Sequence, residues 1–385
     1  MGERNFAVIA AMAVVVGILV PAGGTTAKAL ADVPPAKPNV VLVLSDDQGP
    51  DLEAGLPYLS SQPFGNWIKF SRAYLNNPLC CPSRATILSG QYSHHTGVEN
   101  NSSGQNFNEN ATIATWLKAS GYRTALFGKY LNGYPFGSFY VPPGWTDWVV
   151  SDSGGDYYDY NLFDGQTTKH YGSAAADYST DVLADRASEF LRSTSEPFFA
   201  ELSLHAPHDP FTPAPRHQAA LGNVSIPRRP NFNEADVSDK PASIRSLSKM
   251  SAGQESNRIE DKRQSMRSLL AVDEAIKKIV DTLNERGILD DTIIIFMTDN
   301  GYTLGEHRFV GKRCQYEECV GTPFMVRVPG QQQRTESHLV GNVDLASTLA
   351  ELAGTTPTIS QDGRSLVPVL YNGDDSNWRT GYLIH

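Results

Sequence analysis

Apolar residues fall into two kinds of pattern along the chain. Residues 39–44 (NVVLVL), 198–204 (FFAELSL) and 292–297 (TIIIFM) are short, nearly continuous apolar runs, and 123–127 and 324–328 are smaller ones of the same kind. Such runs predict strands buried on both faces. Elsewhere the apolar positions recur at three and four. Ile259, Met266, Leu269, Leu270, Ile276, Ile279, Val280 and Leu283 predict a helix over 258–286, stopped at Gly287. Further helices are predicted over 111–120, 178–191 and 344–353, the first and last closed by Gly121 and Gly354. Residues 206–256, rich in Pro, Asn, Asp and Ser, predict a long loop, and loops of that length in compact proteins are often functional. Strands alternating with helices predict an α/β fold, a large mostly parallel mixed sheet flanked by helices. Ligands of such sheets gather beyond the C-terminal strand ends.

The N-terminus reads differently. Arg4 precedes an apolar run from Phe6 to Val20, and small residues ending in Ala29-Leu30-Ala31 follow. This predicts a signal peptide over 1–31, and hence a secreted or extracytoplasmic protein, lysosomal in an animal host. The run is short for a bilayer span, so no stable membrane anchor is expected. A Pro-rich linker follows over 32–38. Lys plus Arg number 32 against 42 Asp plus Glu, a net charge of −10. Without Glu3, Arg4 and Lys28 of the leader, 30 basic residues face 41 acidic ones. A chain this acidic is a poor non-specific ligand for nucleic acid, and none is expected as a partner. Four cysteines in 385 residues exclude a disulfide-built scaffold.

Candidate chemistry sits just past the strands. Asp46 and Asp47 follow 39–44, and Asp299 and Asn300 follow 292–297. Carboxylates brought together repel unless a cation joins them. An all-oxygen set suits Ca²⁺ or Mg²⁺ better than Zn²⁺. Either pair alone would read as a turn former or helix cap. Between them lies Cys80-Cys81-Pro82-Ser83-Arg84, a cysteine opening a short helix with an arginine one turn on. A helix N-terminus and a nearby cation both lower a thiol pKa, which would make Cys80 a nucleophile. The other reading makes Cys80 and Cys81 buried small hydrophobes or disulfide partners. Cys314 and Cys319, five apart, are either a small disulfide loop or two buried thiols.

Cys80-x-Pro82-Ser83-Arg84 followed by Leu88-Ser89-Gly90 resembles the signature of the type I sulfatases, with Ser89 in place of the usual threonine. The order of Asp46-Asp47, Gly128-Lys129, His205-Ala206-Pro207-His208, Asp299-Asn300-Gly301 and Gly311-Lys312 is similar to the same family. Within it, Cys80-Cys81 and Phe127-Gly128-Lys129-Tyr130-Leu131-Asn132 resemble the N-acetylglucosamine-6-sulfatases. Many arylsulfatases carry a histidine where Leu131 stands, so the role of that histidine is unassigned here.

The resemblance implies a sulfatase, alkaline-phosphatase-like fold, with a catalytic domain over 39–370 and 371–385 as the start of an incomplete C-terminal subdomain. It implies that a maturation enzyme converts Cys80 to formylglycine. The aldehyde hydrates, one hydroxyl attacks sulfur, alcohol leaves, and loss of the second hydroxyl's proton expels sulfate. The implied metal set is Asp46, Asp47, Cys80, Asp299 and Asn300, holding one divalent cation, Ca²⁺ expected and Mg²⁺ the alternative. Lys129, His208 and Lys312 would surround the sulfate, with His208 as general acid for the leaving alcohol. Arg84 would hold the formylglycine or a metal carboxylate. His205 is left open, and His94 or His95 is a lesser candidate for the pocket.

The expected substrate is a sulfated carbohydrate, with the 6-O-sulfate of N-acetylglucosamine favoured. One alternative is a phosphodiester or phosphonate monoester hydrolase on the same scaffold. Another is an inactive, truncated carbohydrate-binding remnant, since 382–385 reads as a strand of a subdomain that family members continue further.

Overall fold

The computed structural model describes Met1 and residues 37–61, 67–152, 155–195, 197–372 and 377–385. The predicted leader, Met1 apart, lies outside the described residues, as does most of the linker.

Ten strands form one sheet: β1 (Asn39–Ser45), β2 (Trp67–Phe70), β3 (Arg123–Gly128), β4 (Asp147–Ser151), β5 (Tyr160–Phe163), β6 (Thr168–Tyr171), β7 (Phe198–Ser203), β8 (Thr292–Thr298), β9 (Phe324–Arg327) and β10 (Arg334–Glu336). Their order is β10-β2-β9-β8-β1-β7-β3-β4-β5-β6. The centre, β8-β1-β7-β3-β4, is parallel throughout. On one side β9 runs antiparallel to β8 and β2, and on the other β5 and β6 add an antiparallel margin. The predicted mixed, mostly parallel sheet is what the chain forms.

Burial on both faces explains the unbroken apolar runs. Val40, Leu42 and Leu44 of β1 enter one core, and Val41 and Val43 the other. The first core is roofed by α1 (Cys80–Ser89), α2 (Ile113–Ala119) and α5 (Asp344–Leu352). The second is closed by α3 (Ser179–Ser193) and the 34-residue α4 (Ala252–Glu285). Helix α4 begins six residues before the apolar repeat predicts. Its first turn is largely exposed and set by a capping box between Ser251 and Gln254. The stretch before it is mainly irregular, with short helical turns at Pro215–His217 and Ala242–Arg245.

One expectation fails. Residues 381–385 form no strand. They lie against the body of the protein instead. The Tyr382 hydroxyl donates to Asn342 Oδ1 at 3.0 Å, the His385 N–H to Asn76 O at 2.6 Å, and Ile384 packs beside Cys314 and Cys319. Among the described residues no helix is long and apolar enough to cross a membrane.

Candidate active site

Four neighbouring parallel strands each release a site residue at their C-terminal end. Asp46 and Asp47 follow β1, Asp299 and Asn300 follow β8, Lys129 follows β3, and His205 and His208 follow β7. Close approach of β3 and β7 places Lys129. Gly128 has a left-handed φ of 114°, and a Cβ there would collide with the Ser203 carbonyl. Asp47 also adopts a left-handed φ, 61°, which turns its carboxylate away from the run of β1.

Cys80 is the first residue of α1 and is 1% exposed. The N-cap, Leu79, offers no side-chain acceptor; Asn101 Oδ1 accepts from the Cys81 N–H at 3.0 Å instead. Cys80 Sγ lies 3.5 Å from Asp46 Oδ1, 3.9 Å from Asp47 Oδ1 and 2.8 Å from Lys312 Nζ. Burial, followed by the Asp46 charge, pushes its thiol well above the ordinary range, against the partial relief from Lys129. Burial thus works against the thiolate that a helix N-terminus favours. Cys80 and Cys81 are both buried and unbridged, while Cys314 and Cys319 form a disulfide.

The carboxylates are held by cations from distant parts of the chain. Arg84 Nε donates to Asp299 Oδ2 at 2.7 Å, and its other nitrogens reach Ser203 Oγ, the Lys129 carbonyl at 3.0 Å and Asp46 Oδ2 at 3.6 Å. Lys129 Nζ pairs with Asp46 Oδ2. Lys312 Nζ contacts both oxygens of Asp47, at 2.7 and 2.9 Å. Burial would raise Asp46, but Lys129, His208, Arg84 and Lys312 outweigh it and hold that carboxyl well below the usual range. Asp47 goes the other way, because burial and the Asp46 charge exceed the help from Lys312. His208 Nδ1 donates to the Asp209 carbonyl at 2.8 Å, leaving Nε2 3.3 Å from Asp47 Oδ2 and 3.4 Å from Lys312 Nζ.

The residues fit a divalent cation. Ligand atoms of Asp46, Asp47, Cys80 and His208 lie within 4.8 Å of one another. Asn300 Nδ2 donates to Asp47 Oδ1 at 2.5 Å, while Asn300 Oδ1 is buried with no hydrogen-bond partner. A buried amide oxygen left unpaired beside two carboxylates is the donor a hard cation would complete. Asp299 is adjacent but differently engaged. Its Oδ2 takes Arg84, and its Oδ1 accepts from the Asp47 N–H at 3.4 Å. The structure thus brings Asp46, Asp47, Cys80, Arg84, Lys129, His208, Asp299, Asn300 and Lys312 to one place.

His94 and His95 fall outside it. Both are exposed, and His95 Nδ1 lies 2.7 Å from Asp362. Leu131 is in the hydrophobic core. Sequence reasoning missed Ser203, which touches Arg84, and Tyr157, whose hydroxyl donates to the His208 carbonyl at 2.7 Å. Ser203 ends β7, so the strand-end rule could have found it. His205, left open above, is 7% exposed; both ring nitrogens are buried without a partner, and burial pushes it down to about 3, so it stays neutral.

A mostly parallel sheet with a cluster of carboxylates and a cysteine beyond its C-terminal strand ends is the arrangement this chain presents. The Sulfatase family model matches residues 38–355. The chain belongs to the sulfatase family. It is 37% identical over 370 residues to the N-acetylglucosamine-6-sulfatase of Capra hircus, covering 90% of this chain and 66% of that protein. Among solved structures it is similar to BT4656 in complex with its substrate D-glucosamine-2-N,6-O-disulfate. That match has a TM-score of 0.76 and 27% identity, covering 89% of this chain and 82% of that one. A phosphonate monoester hydrolase of Agrobacterium radiobacter shares the fold at a TM-score of 0.71 and 21% identity, covering 89% and 79% of the two chains.

Proposed function

We propose that this protein hydrolyses a sulfate ester on a sugar, with Cys80, converted to formylglycine, as the nucleophile-bearing residue. The observation that carries the proposal is the position of Cys80 Sγ, in contact with Asp46, Asp47 and Lys312 and within the same tight group as His208. In the matured protein an oxygen would stand where this sulfur stands. Asp46, Asp47, Asn300 and the group at position 80 would hold one divalent cation, Ca²⁺ or Mg²⁺, which supplies Lewis acidity and offsets the charge of the sulfate.

The chain's own residues provide the rest. Lys312 and Lys129, both buried or nearly so, present ammonium groups to an anion without the screening of open solvent. Charge grows on the bridging oxygen as the ester breaks, and His208, with its imidazole 25% exposed at the mouth of the cluster, gives that oxygen its proton. Arg84 keeps Asp299 and Asp46 in place and takes no part in the proton's path. Export through the leader at 1–31 and maturation by a formylglycine-generating enzyme belong to the same proposal.

A 6-O-sulfated glucosamine is favoured as substrate, supported by the goat and BT4656 resemblances. The test is sulfate release from N-acetylglucosamine 6-sulfate and from an aryl phosphonate monoester by protein carrying the converted residue. Faster turnover of the sulfate ester is expected. Preference for the phosphonate, or no turnover of either, would contradict the proposal.

A further inference from the structure

We propose that the Cys314–Cys319 disulfide positions Lys312 for catalysis, so that reducing it lowers turnover without unfolding the protein; the proposal rests on the sulfatase reading above. Lys312 lies on no helix or strand. It follows the two-residue strand Val310–Gly311 and precedes the short helix Glu317–Val320. An ammonium on a flexible stem in such a segment would sample many positions, yet Lys312 Nζ is fixed on Cys80 Sγ and both oxygens of Asp47. The constraint comes from its neighbours. The Lys312 carbonyl accepts from the Cys314 N–H at 2.9 Å, and Cys319 Sγ lies 3.8 Å from the Gly311 carbonyl. The bridge therefore closes the segment directly behind Lys312.

The same bridge ties Lys312 to the metal-side residues. The Cys319 carbonyl accepts from the Gly301 N–H at 2.9 Å, one residue past Asn300. Cys314 and Cys319 are buried with Val320, beneath Tyr74, Phe309, Tyr316 and Ile384. This packing holds the far end of the segment while the disulfide holds the near end. Reduction by a dithiol would transfer two electrons and two protons to the cysteines, leaving the reagent as its cyclic disulfide. The segment between Cys314 and Cys319, which begins two residues past Lys312, would then lose its covalent closure.

The test uses full-length protein with Cys80 converted, so no thiol at position 80 responds to the reagent. The Cys314→Ala, Cys319→Ala double variant is compared with native protein before and after dithiothreitol. A fall in kcat of about 10- to 100-fold is expected, the effect of misplacing one catalytic group by about 1 Å. In a Lys312→Met background the double alanine change should cost little more, because its effect passes through Lys312. Equal losses in both backgrounds would mark the bridge as a general staple and overturn the proposal. So would turnover within about twofold of native in the reduced protein and the variant alike. If the variant does not fold, the reduced native protein decides. Amide exchange at Gly301 and over 312–319 reads the segment directly and should rise on reduction. Should the native protein show no turnover, the sulfatase reading fails, and unchanged exchange would separately overturn the positioning claim.

Discussion

Lys312 Nζ donates to Cys80 Sγ at 2.8 Å although 232 residues separate the two. The first residue of a buried helix and a lysine from an irregular segment meet over the carboxylate of Asp47. Lys312→Met should therefore reduce kcat by about 10²-fold or more while the protein stays folded. Steady-state kinetics on a sulfated sugar, with circular dichroism as the folding control, check this. A change in KM alone would assign Lys312 to binding only.

Arg84 is the opposite case, because its role is structural before it is chemical. It is 2% exposed and faces two buried carboxylates and Ser203. Arg84→Met leaves Asp299 without its partner and should destabilise the protein by about 3–5 kcal/mol. Arg84→Lys keeps the charge but not the fork, and should recover only part of the loss. Denaturant midpoints measure both.

Asn300 offers a test of the cation site that needs no turnover. Its Oδ1 is buried and unpaired, so a cation should gain a ligand there. Native protein should rise in Tm as calcium or magnesium is added, by linkage of about 2.7 kcal/mol at a hundredfold excess over Kd. Asn300→Leu should shift that response to higher cation concentration by about 10-fold or more. Identical calorimetric titrations of the two proteins would exclude Asn300 as a ligand.

Glu201 sets a pH dependence of stability. It lies in the middle of β7, 3% exposed with Oε2 unpaired. Burial pushes its carboxyl from 4.5 up to about 7, with Arg84 pulling the other way. The folded state thus holds the proton more tightly than the unfolded state. Stability falls as pH rises from about 4.5 to about 7 and levels beyond. Glu201→Gln removes that fall, and should exceed native stability at pH 8 by something on the order of 3 kcal/mol while matching it near pH 4.5. Urea midpoints at the two pH values measure the difference; a constant offset would contradict the assignment.

The central strands β1, β3, β7 and β8 were legible because burial on both faces writes them as apolar runs. So was β9, whereas β4 in the parallel centre and the strands at both edges were not. Thr168–Tyr171 exposes three of its four residues, Trp67–Phe70 is apolar but only four residues long, and Arg334–Glu336 is short and polar. The residues at 382–385 mimic a strand because Tyr382 and Ile384 pack inward on Asn342 and the disulfide, a tertiary demand that copies the period of a ladder. In the site, Asp46, Asp47, Asp299 and Asn300 could be read from their place after apolar runs. Lys129, His208 and Lys312 could be chosen only through resemblance, since a lone lysine or histidine carries no local signal. Contacts such as Arg84 with Ser203, 119 residues apart, exist only in three dimensions.

The measurement that bears most directly on the central claim is the mass of the tryptic peptide spanning residues 73–84, from protein made in its native host. Conversion of Cys80 to formylglycine lowers that mass by about 18 Da. The account predicts that shift, located at Cys80 by fragmentation. Folded, soluble protein with an intact thiol at Cys80 would contradict it.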